Sequence, residues 1–355
     1  MLFKKEDLKF LNIYSTCIDT KSRFGDKVVL EYNLKNKQAI FYQTTKSVLL
    51  ITELETEHSK DIKLTYNTQT LNSLINYLSE DSQIEIDSSL IIDNKSTYNI
   101  ALSNINISSA QKFFSIVKSN KPEDVIHLKD LDKLKYVKNF MGAQGLDAVA
   151  LYNQYFIATN KVKVGGIVQT ENKGKNLFLS KLLINLISTL KLEELELYDY
   201  SSQGFYYFKY NNTYIIIPIE KWIIPNFMSE KGQKYFDHPF EITFSKHDFL
   251  QVLQRIEIVT KTNYANRIYL SFKDNSIVLE NKDSEYAQEI FNVSIPKELN
   301  DYFIIVSNMF LISTLNMINS DEVIMKVIPD KSIPTISILD KEKKQIYIHV
   351  LYKHN

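Results

Sequence analysis

One pattern recurs three times along this chain and leaves few folds open: strand, helix of about three turns, strand. The first copy runs through 62–67, 68–78 and 82–87. The second occupies 177–179, 180–190 and 195–198, and the third 302–306, 307–318 and 322–327. Asn67, Thr68, Ser180 and Ser307 stand where a side-chain oxygen can accept a hydrogen bond from a free amide at a helix start. Leucine and isoleucine then return at three- and four-residue spacing, giving one apolar stripe. Strand-like alternation follows.

A second unit precedes each of these. Helices are predicted near 6–17, 130–141 and 246–260, each followed by alternating segments. Those segments are 28–32, 39–43 and 48–53, then 148–152, 155–159 and 162–169, then 267–272, 276–280 and 287–293. Every module is therefore helix, strands, helix, strands, an α+β class. Three such modules, 1–121, 122–228 and 229–355, account for nearly the whole chain. The breaks fall at Pro122 and in the polar stretch between Pro225 and Pro239.

Composition narrows the function. Lys plus Arg and Asp plus Glu each number 42, so the net charge is zero and bulk attraction to nucleic acid is excluded. Local basic faces remain open. A single cysteine, Cys17, rules out a disulfide framework and any cysteine-based zinc site, and its apolar surroundings predict burial. The apolar run nearest to a membrane span, Tyr214 to Phe227, is broken by Pro218, Glu220, Lys221 and Pro225, so no membrane span is expected. Met1-Leu2-Phe3-Lys4-Lys5-Glu6-Asp7 turns charged at once, unlike a signal peptide. A cytoplasmic location is the expectation.

The chain has 8 glycines and none of the glycine-rich phosphate loops or nucleophile and metal motifs of common enzyme classes. Gly165-Gly166 reads as a bend or bulge. The six histidines show no ligand spacing, so neither cofactor nor metal is expected. The 22 Tyr and 20 Phe read as sheet packing.

Local motifs within the modules carry a family resemblance. Tyr155-Phe156-Ile157-Ala158-Thr159-Asn160-Lys161-Val162-Lys163-Val164 stands where sliding clamps have a strand ending Ala-Thr-Asp-Gly-x-Arg-Leu. Ala158 and Thr159 match; Asn160, Lys163 and Val164 replace Asp, Arg and Leu. Lys221-Trp222-Ile223-Ile224-Pro225-Asn226-Phe227 resembles the Phe-Pro-Asp-Tyr segment that closes the second clamp domain. Phe249 to Thr260 is similar to the long first helix of the third. Tyr347 to Lys353 stands where the family ends on Met-Pro-Met-Arg, which is absent here. The chain thus resembles a bacterial-type DNA polymerase III beta sliding clamp, of a divergent, bacteriophage-encoded kind.

That resemblance implies three tandem clamp domains, two helices packed on antiparallel sheets in each, closing head-to-tail as a homodimeric ring around double-stranded DNA. It implies a tether for a replicative DNA polymerase, opening by a clamp loader, and no catalysis. The first helices carry cations, so DNA contacts are expected at Lys5, Lys9, Lys129, Lys133, Lys138, Lys246 and Arg255, with Arg23 in a neighbouring loop. Such contacts are sequence-independent and salt-sensitive; solvated helix faces are the plainer reading of the same lysines. A partner-peptide cleft is expected at Thr159, Val162, Val164, Pro225, Ile348, Val350 and Tyr352. Edge pairing between copies is expected at Ile100 and Leu102 on one side and Ile258 and Val259 on the other. Two other classes stay open: a β-rich viral structural protein, and a metal-dependent nuclease using Asp199 with Glu193, Glu194 and Glu196.

Overall fold

The computed structural model describes residues 1–355 apart from 23, 88–89, 94, 103–104, 143–145, 161–163, 174–175, 220–239, 261–265, 283–286, 329–334 and 351–355. Trp222 and the Pro225 segment lie outside the described residues. The first stretch holds β1 (Leu2–Lys4), α1 (Leu11–Thr16), β2 (Lys27–Asn33), β3 (Gln38–Thr44), β4 (Leu49–Glu55), β5 (Ile62–Asn67), α2 (Thr68–Asn76), β6 (Gln83–Ile86), β7 (Leu90–Ile92), β8 (Ser96–Tyr98) and β9 (Ala101–Leu102). Then comes α3 (Ser108–Ser119), a helix the repeat did not predict.

The pattern returns as β10 (Asp124–Leu128), α4 (Leu134–Val137), β11 (Ala148–Tyr152), β12 (Tyr155–Thr159), β13 (Val164–Gln169), β14 (Leu177–Ser180), α5 (Lys181–Leu190), β15 (Leu195–Tyr200), β16 (Phe205–Tyr210) and β17 (Thr213–Pro218). It returns again as β18 (Glu241–Ser245), α6 (Lys246–Thr260), β19 (Arg267–Lys273), β20 (Ser276–Asn281), β21 (Ala287–Asn292), β22 (Phe303–Ser307), α7 (Asn308–Met317), β23 (Glu322–Ile328), β24 (Thr335–Asp340) and β25 (Gln345–Val350).

The helix starts follow their caps only in part. Asn67 accepts from the Thr70 amide at 3.0 Å and Ser180 from the Leu183 amide at 3.3 Å, whereas Ser307 makes no side-chain cap bond. The helix expected over 130–141 is a single α turn flanked by 3₁₀ turns at Leu131–Lys133 and Lys138–Phe140. Asp130, at φ 57°, sets the sharp entry.

The chain forms two compact units, Met1–Leu131 with Asn185–Glu220, and Asp132–Ile184 with Lys221–Asn355. The first holds a nine-stranded antiparallel sheet, ordered β10-β15-β16-β17-β4-β3-β2-β5-β9, and a four-stranded one, β1-β6-β7-β8. The second holds an eight-stranded sheet, β14-β11-β12-β13-β25-β24-β23-β18, and a four-stranded one, β21-β20-β19-β22. In the nine-stranded sheet one face packs on α1: the Phe10 ring lies 4.8 Å from Phe41, and the Tyr14 hydroxyl donates to the Phe41 carbonyl at 2.9 Å. The Thr52 hydroxyl sits 3.1 Å from Tyr14 and 2.8 Å from Thr213 across the β4–β17 ladder. Burial pushes the Tyr14 phenol far above its ordinary range. Cys17 is buried, as its surroundings implied.

Gly165 and Gly166 do not bend the chain. Both are paired inside β13, with Gly165 opposite Thr159 on one side and Ile348 on the other. A β carbon on Gly166 would stand 2.8 Å from the Phe140 ring, so the absent side chain lets Phe140 lie on the strand and meet Tyr347 at 5.3 Å.

Candidate interaction surfaces

The nominated cations divide by what already holds them. Lys5 Nζ donates to the Leu78 carbonyl at 2.6 Å, past the end of α2, and lies 3.2 Å from Glu80. Lys246 Nζ donates to the Ile318 carbonyl at 2.9 Å, the cap of α7. Both ammonium groups therefore close the negative end of the second helix in their own repeat. Arg255 is forked onto Glu289 of β21, with Nε and Nη2 each 2.9 Å from a carboxylate oxygen. The guanidinium holds the Glu289 carboxyl below the usual carboxylate range.

Lys9 reaches Glu80 at 3.3 Å and Lys129 reaches Glu194 at 4.0 Å, in pairs whose members are all more than half exposed. Contacts of that kind are weakly held and can be exchanged for another anion. Lys133 and Lys138 are half-buried around α4, and Arg23 lies outside the described residues.

The expected edge positions fall differently on the two sides. Leu102 is on β9, the terminal strand of the nine-stranded sheet, which pairs with β5 through Thr65 and among the described residues has no partner on its other side. Ile258 and Val259 are on the last turn of α6, not on a strand. Among the described residues the four-stranded sheets end on β1 and β8 and on β21 and β22; β8 is hydrogen-bonded to β7 alone and β21 to β20 alone. Ile100 is half-buried just beyond β8. β8 and β21 each carry an exposed large apolar side chain, Tyr98 and Ile290, and further ones are exposed on the helices of the same units. Tyr77 is 91% and Tyr98 37% exposed in one unit; Ile258 is 76% and Ile290 59% exposed in the other. Tyr98 and Ile290 escaped the sequence reading because nothing local separates an exposed strand residue from a buried one, and Tyr77, the C-cap of α2, read as part of its helix.

Of the expected cleft, Thr159 and Ile348 share one row of the eight-stranded sheet, on either side of Gly165, and both are buried. Val164 is in register with His349, and Val350 with Thr335. Val162, Pro225 and Tyr352 lie outside the described residues. His349 is buried beneath α7, with Nε2 2.9 Å from the Thr314 hydroxyl, and burial lowers its pKa to about 4.

The acidic alternative loses its geometry. Asp199 is fully buried and accepts from the Ser201 amide at 2.8 Å. Glu196, three residues earlier on the same strand, is on the opposite face, beside the Tyr198 hydroxyl at 3.1 Å. Among the described residues no three His, Cys, Asp or Glu side chains cluster as metal ligands, and no helix is long and apolar enough to cross a membrane.

No family model matches this chain, and no curated protein matches its sequence. Solved structures do match it along its whole length. The DNA polymerase III beta subunit of Thermotoga maritima is 13% identical, with 100% of this chain and 99% of that one covered and a TM-score of 0.77. Caulobacter crescentus pol III beta is 13% identical, covers 99% of each chain and gives 0.77. A Pseudomonas aeruginosa sliding clamp bound to griselimycin is 13% identical, covers 100% and 99%, and gives 0.74. Across its full length, with its repeated helices and antiparallel sheets, the chain has the fold of the bacterial DNA polymerase III beta sliding clamps.

Proposed function

We propose that the chain is a sliding clamp: a bacteriophage-encoded, non-catalytic processivity factor of the host cytoplasm that closes as a head-to-tail homodimer around duplex DNA. One observation carries the reading. Within the chain, β4 of the first repeat pairs with β17 of the second, and β13 of the second with β25 of the third. The repeat makes β4, β13 and β21 equivalent, and likewise β8, β17 and β25. The same rule applied once more joins β21 to β8 of another copy. Both strands are open edges in the chain, and an open edge flanked by apolar side chains favours pairing.

The DNA-facing set in this reading is Lys9, Arg23, Lys129, Lys133 and Lys138. Lys5, Lys246 and Arg255 serve the protein's own carbonyls and carboxylate. Thr159, Val162, Val164, Pro225, Ile348, Val350 and Tyr352 form the cleft for the polymerase's peptide, and a clamp loader opens the ring. The test is retention on nicked circular plasmid against linear duplex of equal length. A clamp stays on the circle in salt that strips it from the linear form, because topology survives when phosphate contacts do not. Equal loss from both would remove the encirclement reading.

A further inference from the structure

The helix that the repeat does not contain, α3, lies over the junction of the first two repeats. Its buried residues Ala110, Phe114 and Val117, with Ile107 just before it, share one apolar cluster with Leu49 and Ile51 of β4 and with Tyr214 and Ile216 of β17. Its polar and aromatic contacts run on across six neighbouring strands. Gln111 Nε2 donates to Glu31 of β2 at 2.7 Å. The Phe114 ring stands 6.5 Å from Tyr42 of β3 and 5.3 Å from Tyr214 of β17. Lys118 Nζ bonds Glu53 of β4 at 2.5 Å while lying 5.0 Å from the centre of the Tyr214 ring. Phe113 meets Phe205 of β16 at 5.5 Å, and the Tyr200 hydroxyl of β15 donates to the carbonyl of Asn120, the C-cap of α3, at 2.7 Å.

The ladder under this helix is one residue pair shorter than its counterpart. The β4–β17 ladder runs only from Thr213–Thr52 to Ile216–Leu49, whereas the β13–β25 ladder runs from Val164–His349 to Val168–Gln345. The apolar cluster at β13–β25 draws its described members from strands and the residues flanking them, with no helix among them. Among the described residues the shorter ladder is the one that an α-helix of three turns spans, whereas β13–β25 carries the short turn of Phe140, whose ring meets Tyr347.

We propose that α3 is a strap that holds the β4–β17 seam shut, so that this seam opens only when α3 lifts, and opens independently of β13–β25. The strap does not depend on whether the chain encircles DNA. Lys118 acts in it on both sides at once, its charge on Glu53 of the first repeat and its face on Tyr214 of the second.

Native-state hydrogen exchange on the full-length protein tests this. Phe114→Ala removes the ring between Tyr42 and Tyr214. Amides at Leu50–Thr52 and Tyr214–Ile216 should then exchange about a hundredfold faster, from the usual loss on truncating a buried aromatic. Amides at Gly165–Ile167 and Ile346–Ile348 should stay within about twofold, as expected of an independently opening segment. Should Phe114→Ala fail to fold, Lys118→Ala keeps the packing and should accelerate the same amides about fivefold. Unchanged exchange at β4 and β17 in the folded variants, or equal acceleration at both seams, would overturn the strap.

Discussion

If the chain pairs through β21 and β8 as proposed, replacing Ile258 and Ile290 with alanine should convert that dimer to folded monomer at concentrations where the unmodified protein is paired. Between them these side chains expose a little more than one whole isoleucine, at 76% and 59%. Burying a full isoleucine is worth about 1.5–3 kcal/mol. Alanine retains only the first carbon, so each junction between copies should lose about 1.5–3 kcal/mol on the same scale. A head-to-tail dimer has two identical junctions, so the total is about 3–6 kcal/mol, or roughly two to four decades in Kd. Arg255 stays in place to hold Glu289, so the edge strand keeps its charge balance. Sedimentation velocity across a concentration series, with circular dichroism to verify the fold, reads the effect. A wild-type chain that is monomeric at tens of micromolar (the scale of weak complexes), or a variant Kd within about threefold, below the smallest loss worked out here, would refute the reasoning. Tyr98→Ala, on the opposite edge, should not add fully to the double change if the two surfaces meet.

Lys5→Met and Lys246→Met should each lower stability by about 1 kcal/mol in urea melts by uncapping α2 and α7, with no change in the salt dependence of DNA binding. Lys133→Met and Lys138→Met should instead lower that salt slope by about one counterion each, measured by fluorescence anisotropy. His349→Asn should flatten the acid side of the stability profile. The buried imidazole titrates near 4 when folded and near its ordinary value when unfolded, so the unfolded chain binds the extra proton between those values. Its stabilising contribution is therefore whole above about pH 6.5 and falls by about 3 kcal/mol as pH drops towards 4, a trend urea midpoints at several pH values will show. Tyr14→Phe leaves Thr52 without its Tyr14 partner and should cost about 1–2 kcal/mol in the same assay, since the hydroxyl is buried.

The repeat was legible because the apolar spacing of α2, α5 and α7 is set by what each helix covers. Leu71 and Ile75, like Leu311 and Leu315, are buried at the same four-residue step. The α3 segment follows the same rule through Ala110, Phe114 and Val117, yet it falls in the connector where the repeat has no counterpart to align it. The cations were harder. A lysine that ends a neighbouring helix and one that faces solvent look alike in sequence, and the bond from Lys5 to Leu78 spans 73 positions. Gly166 misled for a related reason. Its purpose is the approach of Phe140, a contact made across the fold and invisible along the strand.

The pairing rule that joins one repeat to the next is directional. Each repeat offers one strand of the β4 kind and accepts with one of the β8 kind, so the open edges at β21 and β8 are complementary and never identical. An interface of that sort carries no instruction to stop at two copies. In the proposed ring, what ends the series is a turn per repeat that returns the last edge to the first. A substitution that altered this turn by a few degrees at each seam, while sparing every edge residue, would leave the same strands joined in an open helical filament. Under the proposed pairing, closure and fibre formation are two outcomes of one junction, separated by geometry alone.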